Sequence, residues 1–163
     1  MDVIKEIKDT AKFKPVLCLF DMDGTCVEYG SGEKAQIMAN KKDFFKFKRP
    51  LKSILKKMKI LSKTKNIRVG ILSNCYFEEQ RQDKIFWLKN NAPFICQKDI
   101  CIVVLNNETY TTDTKDFIKA NYIKQMAKQN EKVFFFEDSH NIIKATSKAL
   151  PDVKVCHVSE LID

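Results

Sequence analysis

The feature that most constrains this 163-residue chain is a rhythm in which short apolar runs of strand length alternate with segments of helical spacing. The first run, Val16 to Phe20, follows Lys14-Pro15 and is apolar throughout, as suits a strand buried on both faces of a parallel sheet. Arg49-Pro50 then opens a helix, with Pro50 where a first turn tolerates it. Leu51, Ile54, Leu55, Met58 and Leu61 recur on one face of that helix. Arg68 to Leu72, Ile100 to Leu105, Lys132 to Phe136 and Val153 to Val158 read as four further strands. Between them lie helical segments from Glu78 to Asn90 (Ile85, Leu88 and Phe86 inward), from Lys115 to Lys128 (Ile118, Tyr122, Ile123 and Met126 as the seam) and from Asn141 to Ala149. Met1 to Lys14 mixes charges with isolated Val3, Ile4 and Ile7 and is read without an element. Alternation of this kind predicts a doubly wound three-layer α/β/α sandwich with a mostly parallel sheet, in one domain over residues 1–163.

Open sheets of this class bind ligands beyond the carboxyl ends of their strands, so the residues there carry the functional reading. The first strand runs into Asp21-Met22-Asp23-Gly24-Thr25, two acids placed straight off a buried run. Such placements are costly unless something compensates, and a hard cation bound through oxygen would. The second strand ends in Ser73-Asn74 and the fourth in Glu137-Asp138-Ser139. Each motif alone is open to a plain reading as a turn or helix cap. In this order and at these strand ends, together with a lysine from a helix start, they describe a site for a divalent metal and a phosphate.

The set resembles the haloacid dehalogenase-like (HAD) superfamily, and the resemblance extends from Val16 to Val158. It implies that Asp21 attacks phosphorus and that Asp23 serves as general acid and base. Ser73 would hold a phosphoryl oxygen, and Asn74 would help orient the site. The implied cofactor is Mg²⁺, held by Asp21, by the backbone carbonyl of Asp23 and by Asp138, with Glu137 binding directly or through water. The lysine that neutralises nucleophile and phosphate would be Lys119, with Lys115 as the alternative. A second Asp in the first motif marks phosphatases and phosphomutases within the superfamily. The resemblance therefore implies a Mg²⁺-dependent phosphomonoesterase working through a phospho-aspartyl intermediate. Cys26 to Lys48 leaves space for a flap (approximately 26–48) and none for a large cap, so the site would be open.

The expected substrate is a small phosphate ester such as a nucleotide or sugar phosphate. The alternatives are a macromolecular substrate (a nucleic-acid end or a phosphoprotein) and a catalytically silent binding domain. Lys84 to Leu88 is faintly similar to a stretch of deoxynucleotide 5′-phosphatases, although Phe86 and Trp87 also suit packing. The net charge of +8 is carried almost wholly by lysines, with arginine only at 49, 68 and 81, and reads as a solvated surface or as an attraction for phosphate. Six scattered cysteines without a Cys-x-x-Cys pair suit small buried side chains, not zinc. No apolar run reaches the ~20 residues of a membrane span, and a cytoplasmic location is expected. His140, beside the acidic pair, is within reach of touching substrate but reads more readily as a solvent-facing loop residue. The oligomeric state is left open.

Overall fold

All five apolar runs form strands, and all five strands are parallel. The computed structural model describes residues 2–29, 45–105 and 116–162, so residues 30–44 of the expected flap and Lys115 lie outside the described residues. The elements are α1 (Val3–Ala11), β1 (Val16–Phe20), α2 (Lys52–Ser62), β2 (Ile67–Cys75), α3 (Glu78–Asn91), β3 (Ile100–Val104), α4 (Ile118–Met126), β4 (Lys132–Glu137), α5 (His140–Ala149) and β5 (Lys154–His157). Single 3₁₀ turns occupy Phe45–Phe47, Gln97–Asp99 and Val158–Leu161. The sheet order is β3-β2-β1-β4-β5, which puts β1 at the centre, where the winding reverses.

Strand alternation divides the core into two layers. Val16, Cys18 and Phe20 face one side with Phe134 and Phe136, covered by α1, α2 and α3. Leu17 and Leu19 face the other with Val133 and Phe135, covered by α4 and α5. Phe20 and Phe136 stack at 4.7 Å between ring centroids directly beneath the site.

Three sequence readings need correction. The first fourteen residues contain a helix: Asp2 caps it by accepting from Ile4 N at 2.9 Å, and Val3, Ile7 and Ala11 are buried at four-residue spacing. The interspersed charges conceal that spacing because they occupy its exposed face. β2 continues to Cys75, so Ser73 and Asn74 lie within the strand, paired with Ile102 and Val103 of β3. The inward face of α3 is Asp83, Lys84, Trp87 and Leu88, with Ile85 only partly buried and Phe86 about half exposed. Trp87 sets this rotation, donating from Nε1 to Lys48 O at 2.8 Å and meeting Phe45 edge-on.

Candidate active site

The chain leaves β1 in a tight loop organised around one carbonyl. Thr25, Cys26 and Val27 all donate their N–H groups to Met22 O, at 3.1, 2.8 and 3.0 Å. Gly24 makes the turn at φ +70°, and a Cβ there would collide with Asp138 Oδ2 and the Tyr29 ring. Asp21 N donates to Phe136 O at 2.9 Å, locking the Asp21 backbone to β4 just before the acidic pair. The loop thus carries Asp21 and Asp23 to the end of the sheet where Glu137 and Asp138 arrive.

Lys119, near the start of α4, is buried between the two groups. Its Nζ donates to Asp21 Oδ1 at 2.8 Å and to Glu137 Oε2 at 2.5 Å. Burial would lower its pKa, but Asp21 and Glu137 outweigh that and hold the ammonium above its usual range. Burial raises the pKa of Asp21, and Glu137 adds to the rise while Lys119 and Lys84 oppose it. Burial also raises Glu137, against Lys119, and raises Asp138 with a further push from Asp21. Glu137 is held in place by the N–H groups of Asp138 and Ser139, which donate to its Oε1 at 3.0 and 3.1 Å.

Asp23 occupies a different environment. Lys48 Nζ reaches its Oδ1 at 2.6 Å and Lys84 Nζ its Oδ2 at 2.7 Å. Burial would raise this carboxyl, yet the two lysines more than compensate and its pKa falls. Lys84 also donates to Ser73 Oγ at 2.9 Å and to Asn74 O at 2.7 Å, so one ammonium links the first and second motifs. Neither lysine was found from sequence. The available signal was local: Lys84 precedes Trp87 and Leu88 by three and four positions, which places it on the buried face of α3.

Asp21, Glu137 and Asp138 each present an oxygen within 4.8 Å of the others'. Three hard oxygen donors are the ligand chemistry of Mg²⁺, and three carboxyls with raised pKa values side by side are what a cation would relieve. Asn74 Oδ1 and Thr25 Oγ1 are buried with no hydrogen-bond partner among the described residues. The carboxylate of Asp23 stands outside the group of three because the lysines engage both its oxygens; the resemblance had implied its backbone carbonyl. Asp21, Asp23, Ser73, Asn74, Lys119, Glu137 and Asp138 line a cleft of about 400 Å³, with Tyr29, Tyr76, Asp116 and Asn141 also in its wall. His140 is not in its wall: it is the exposed first residue of α5, stacked on His157 at 5.1 Å. No helix is long and apolar enough to cross a membrane among the described residues.

No family model matches the sequence, and no curated protein does. Solved structures do. A chain of the Pnkp1/Rnl/Hen1 RNA repair complex superposes with a TM-score of 0.64 at 16 % identity, over 88 % of this chain and 42 % of its own. This chain therefore spans about two fifths of that one. The HAD domain of the effector protein Lem4 from Legionella pneumophila superposes with a TM-score of 0.53 at 14 % identity, over 88 % of this chain and 84 % of its own. At such identities the likeness speaks for architecture, and the chain has the HAD-like, Rossmann-type α/β fold.

Proposed function

We propose that the chain is a phosphomonoesterase of the HAD type that works through a phospho-aspartyl intermediate on Asp21. The observation that carries this reading is the convergence of Asp21, Glu137 and Asp138 on one small volume with Lys119 bonded to the nucleophile. Asp21, Glu137 and Asp138 would hold Mg²⁺, which when bound supplies positive charge against the phosphate dianion and the transition state. Lys119 contributes fixed charge on the same side, so a carboxylate can approach a phosphate despite like-charge repulsion.

In the first step an Asp21 oxygen bonds to phosphorus, the phosphorus–oxygen bond to the leaving group breaks, and the leaving oxygen takes the proton of Asp23. In the second, Asp23 takes a proton from water as the water oxygen bonds to phosphorus, and the Asp21–phosphorus bond breaks. Asp23 begins ion-paired with Lys48 and Lys84, so it must be released before it can carry a proton. Lys84 touches Ser73 as well, and a phosphate held by Ser73 competes with Asp23 for that ammonium. Substrate binding and release of the acid–base residue are thereby coupled through one side chain.

The interval from Cys26 to Lys48 is long enough for a flap and too short for a large cap, which supports an open, capless site. The location we propose is the cytoplasm, in keeping with six free cysteines. The test is phosphate release from nucleotides, sugar phosphates and an aryl phosphate, with Mg²⁺ and with chelator. Mg²⁺-dependent turnover and an acid-stable, hydroxylamine-sensitive phosphoryl group on the protein are expected. Turnover that survives chelation, or that leaves no trapped phosphoryl group, would overturn the reading.

A further inference from the structure

The lysines are less evenly distributed than their number suggests. Residues 44–77 contain no Asp or Glu, yet carry ten basic residues. That exceeds the whole chain's net charge of +8, and the remaining nineteen basic and twenty-one acidic residues leave everything else at −2. The charge of this protein is therefore a property of one segment, centred on α2.

The ten do not act alike. Arg68 and Lys57 are engaged in structural contacts, to Asp99 and Glu131 and to Leu161 O respectively. Lys46, Lys48 and Arg49 meet Asp83, Asp23 and Glu28. Lys52, Lys56 and Lys59, with Lys63 at the C-cap, follow one another at intervals of four, three and four residues. They form one exposed stripe, opposite the face buried through Ile54, Met58 and Leu61. Among the described residues none of these four has a carboxylate within ion-pair distance. The first three edge a groove of about 590 Å³ between α2 and the end of α3, whose other wall includes Asn90, Asn91 and Phe94 and no acid.

The stripe has a direction. α2 starts at the carboxyl end of the sheet, four residues after Lys48, whose ammonium is on Asp23. It then runs away from the cleft for about 16 Å. A ligand that carries phosphates at regular intervals and ends in a phosphomonoester matches both features: the backbone along the lysines, the terminus in the cleft. A compact ester would use the cleft alone and leave the stripe unexplained. Lysines spaced along a groove, with amides and an aromatic ring beside them, are the chemistry that holds unpaired nucleic acid. The groove's volume is that of a small-molecule site, suited to single nucleotides and too small for a duplex.

We propose that the α2 stripe and its groove bind the backbone of a single-stranded nucleic acid and lead its phosphorylated end to Asp21. This deepens the phosphatase reading and rests on it for the fate of the strand's end, not for the binding.

The experiment measures binding of a fluorescent, end-phosphorylated 12-mer to the full chain in chelator, across a salt series. It compares the wild type with the Lys52→Glu/Lys56→Glu/Lys59→Glu variant, whose thermal melt certifies folding; should that variant not fold, Lys→Gln at the same three positions replaces it. The expected result is salt-sensitive binding that weakens at least about tenfold in the variant, with a log–log salt slope shallower by about 2. Equal binding by the two proteins, or none by either, would overturn the proposal. So would tighter lysine-dependent binding to poly-glutamate or to phosphatidylserine vesicles, which would assign the stripe to an acidic protein or a membrane. Lysine-dependent binding by a protein that hydrolyses no phosphomonoester would keep the strand site and sink only the phosphatase reading.

Discussion

Each end of the sheet carries a cluster of buried charge, and the two are built on opposite plans. At the amino end Arg68, the second residue of β2, forks onto Glu131 with Nε and Nη2 at 3.1 and 2.8 Å. It also reaches Asp99, and it closes on Met126 O at 2.7 Å. Glu131 accepts the Lys128 amide as well, at 2.7 Å. One planar cation thus joins β2, the turn before β3, the end of α4 and the approach to β4, and its donors are spent on the protein. At the carboxyl end lysines replace arginine and point charges replace a fork; among the described residues Asp138 has no lysine within ion-pair distance and Asn74 Oδ1 has no hydrogen-bond partner. A charge cluster that serves the fold is saturated by its own chain. One that serves a ligand leaves acceptors facing an accessible volume.

Substitutions can break this contrast at either end. The largest effect belongs to Asp21→Asn: phosphate release should fall by about 10³-fold or more. The thermal midpoint should hold or rise, since one of three crowded carboxylates loses its charge. A large drop in stability would mean that the site is part of the scaffold after all. Arg68→Met should do the reverse. Removing one partner strands Asp99 and Glu131, at a cost of about 3 kcal/mol in urea unfolding, while turnover of the folded fraction stays within about twofold. Lys84→Met separates the two roles within the site. It should lower kcat by about 10²-fold with KM changing less, because it leaves Asp23 held by Lys48 alone and removes the partner that the phosphate exchanges for it. The smallest effect is a pH dependence at the amino end. Burial would raise the pKa of Glu131, but the Arg68 fork overcomes it and the folded value lies below the usual one. Its stabilising contribution is therefore complete above the unfolded value of about 4.3 and is lost as pH falls through the lower folded one. Urea unfolding followed from about pH 6 down to about pH 3 should show a loss of stability that is smaller in Arg68→Gln than in the wild type.

Local signals were legible in the sequence, and pairings across long separations were not. The strands stood out because a sheet covered on both faces demands continuous apolar runs, and Asp21, Asp23, Glu137 and Asp138 stood out because acids rarely follow such runs. Lys119 is favoured over Lys115 on the spacing of Tyr122, Ile123 and Met126 after it, which is what the family resemblance implies, and it lies on Asp21 and Glu137, while Lys115 is outside the described residues. Lys84 was not legible: its meaning depends on Asp23, sixty-one residues earlier, and on a rotation of α3 that Trp87 sets through Lys48. Arg68 reads as an ordinary strand residue until Glu131 is beside it. The helix at residues 3–11 was hidden for another reason, since three buried residues in nine are a sparse pattern among charges. The stripe on α2 was visible only once acids were counted as well as bases.

The register of the central strand has a consequence for how the protein is made. β1 pairs on one side with β2 and on the other with β4, whose first partner, Lys132, lies 116 positions beyond Val16. At translation rates of about 5–20 residues per second, β1 waits roughly 6–23 s after its own synthesis for that neighbour. During that interval its apolar edge is open and Asp21 has no acidic partner from β4. Any nascent or truncated chain that stops short of residue 137 holds Asp21 without Glu137 and Asp138. The three acids of the site can thus come together only once residue 138 has been translated, and until then β1 offers its unpaired edge to chaperones and to neighbouring nascent chains.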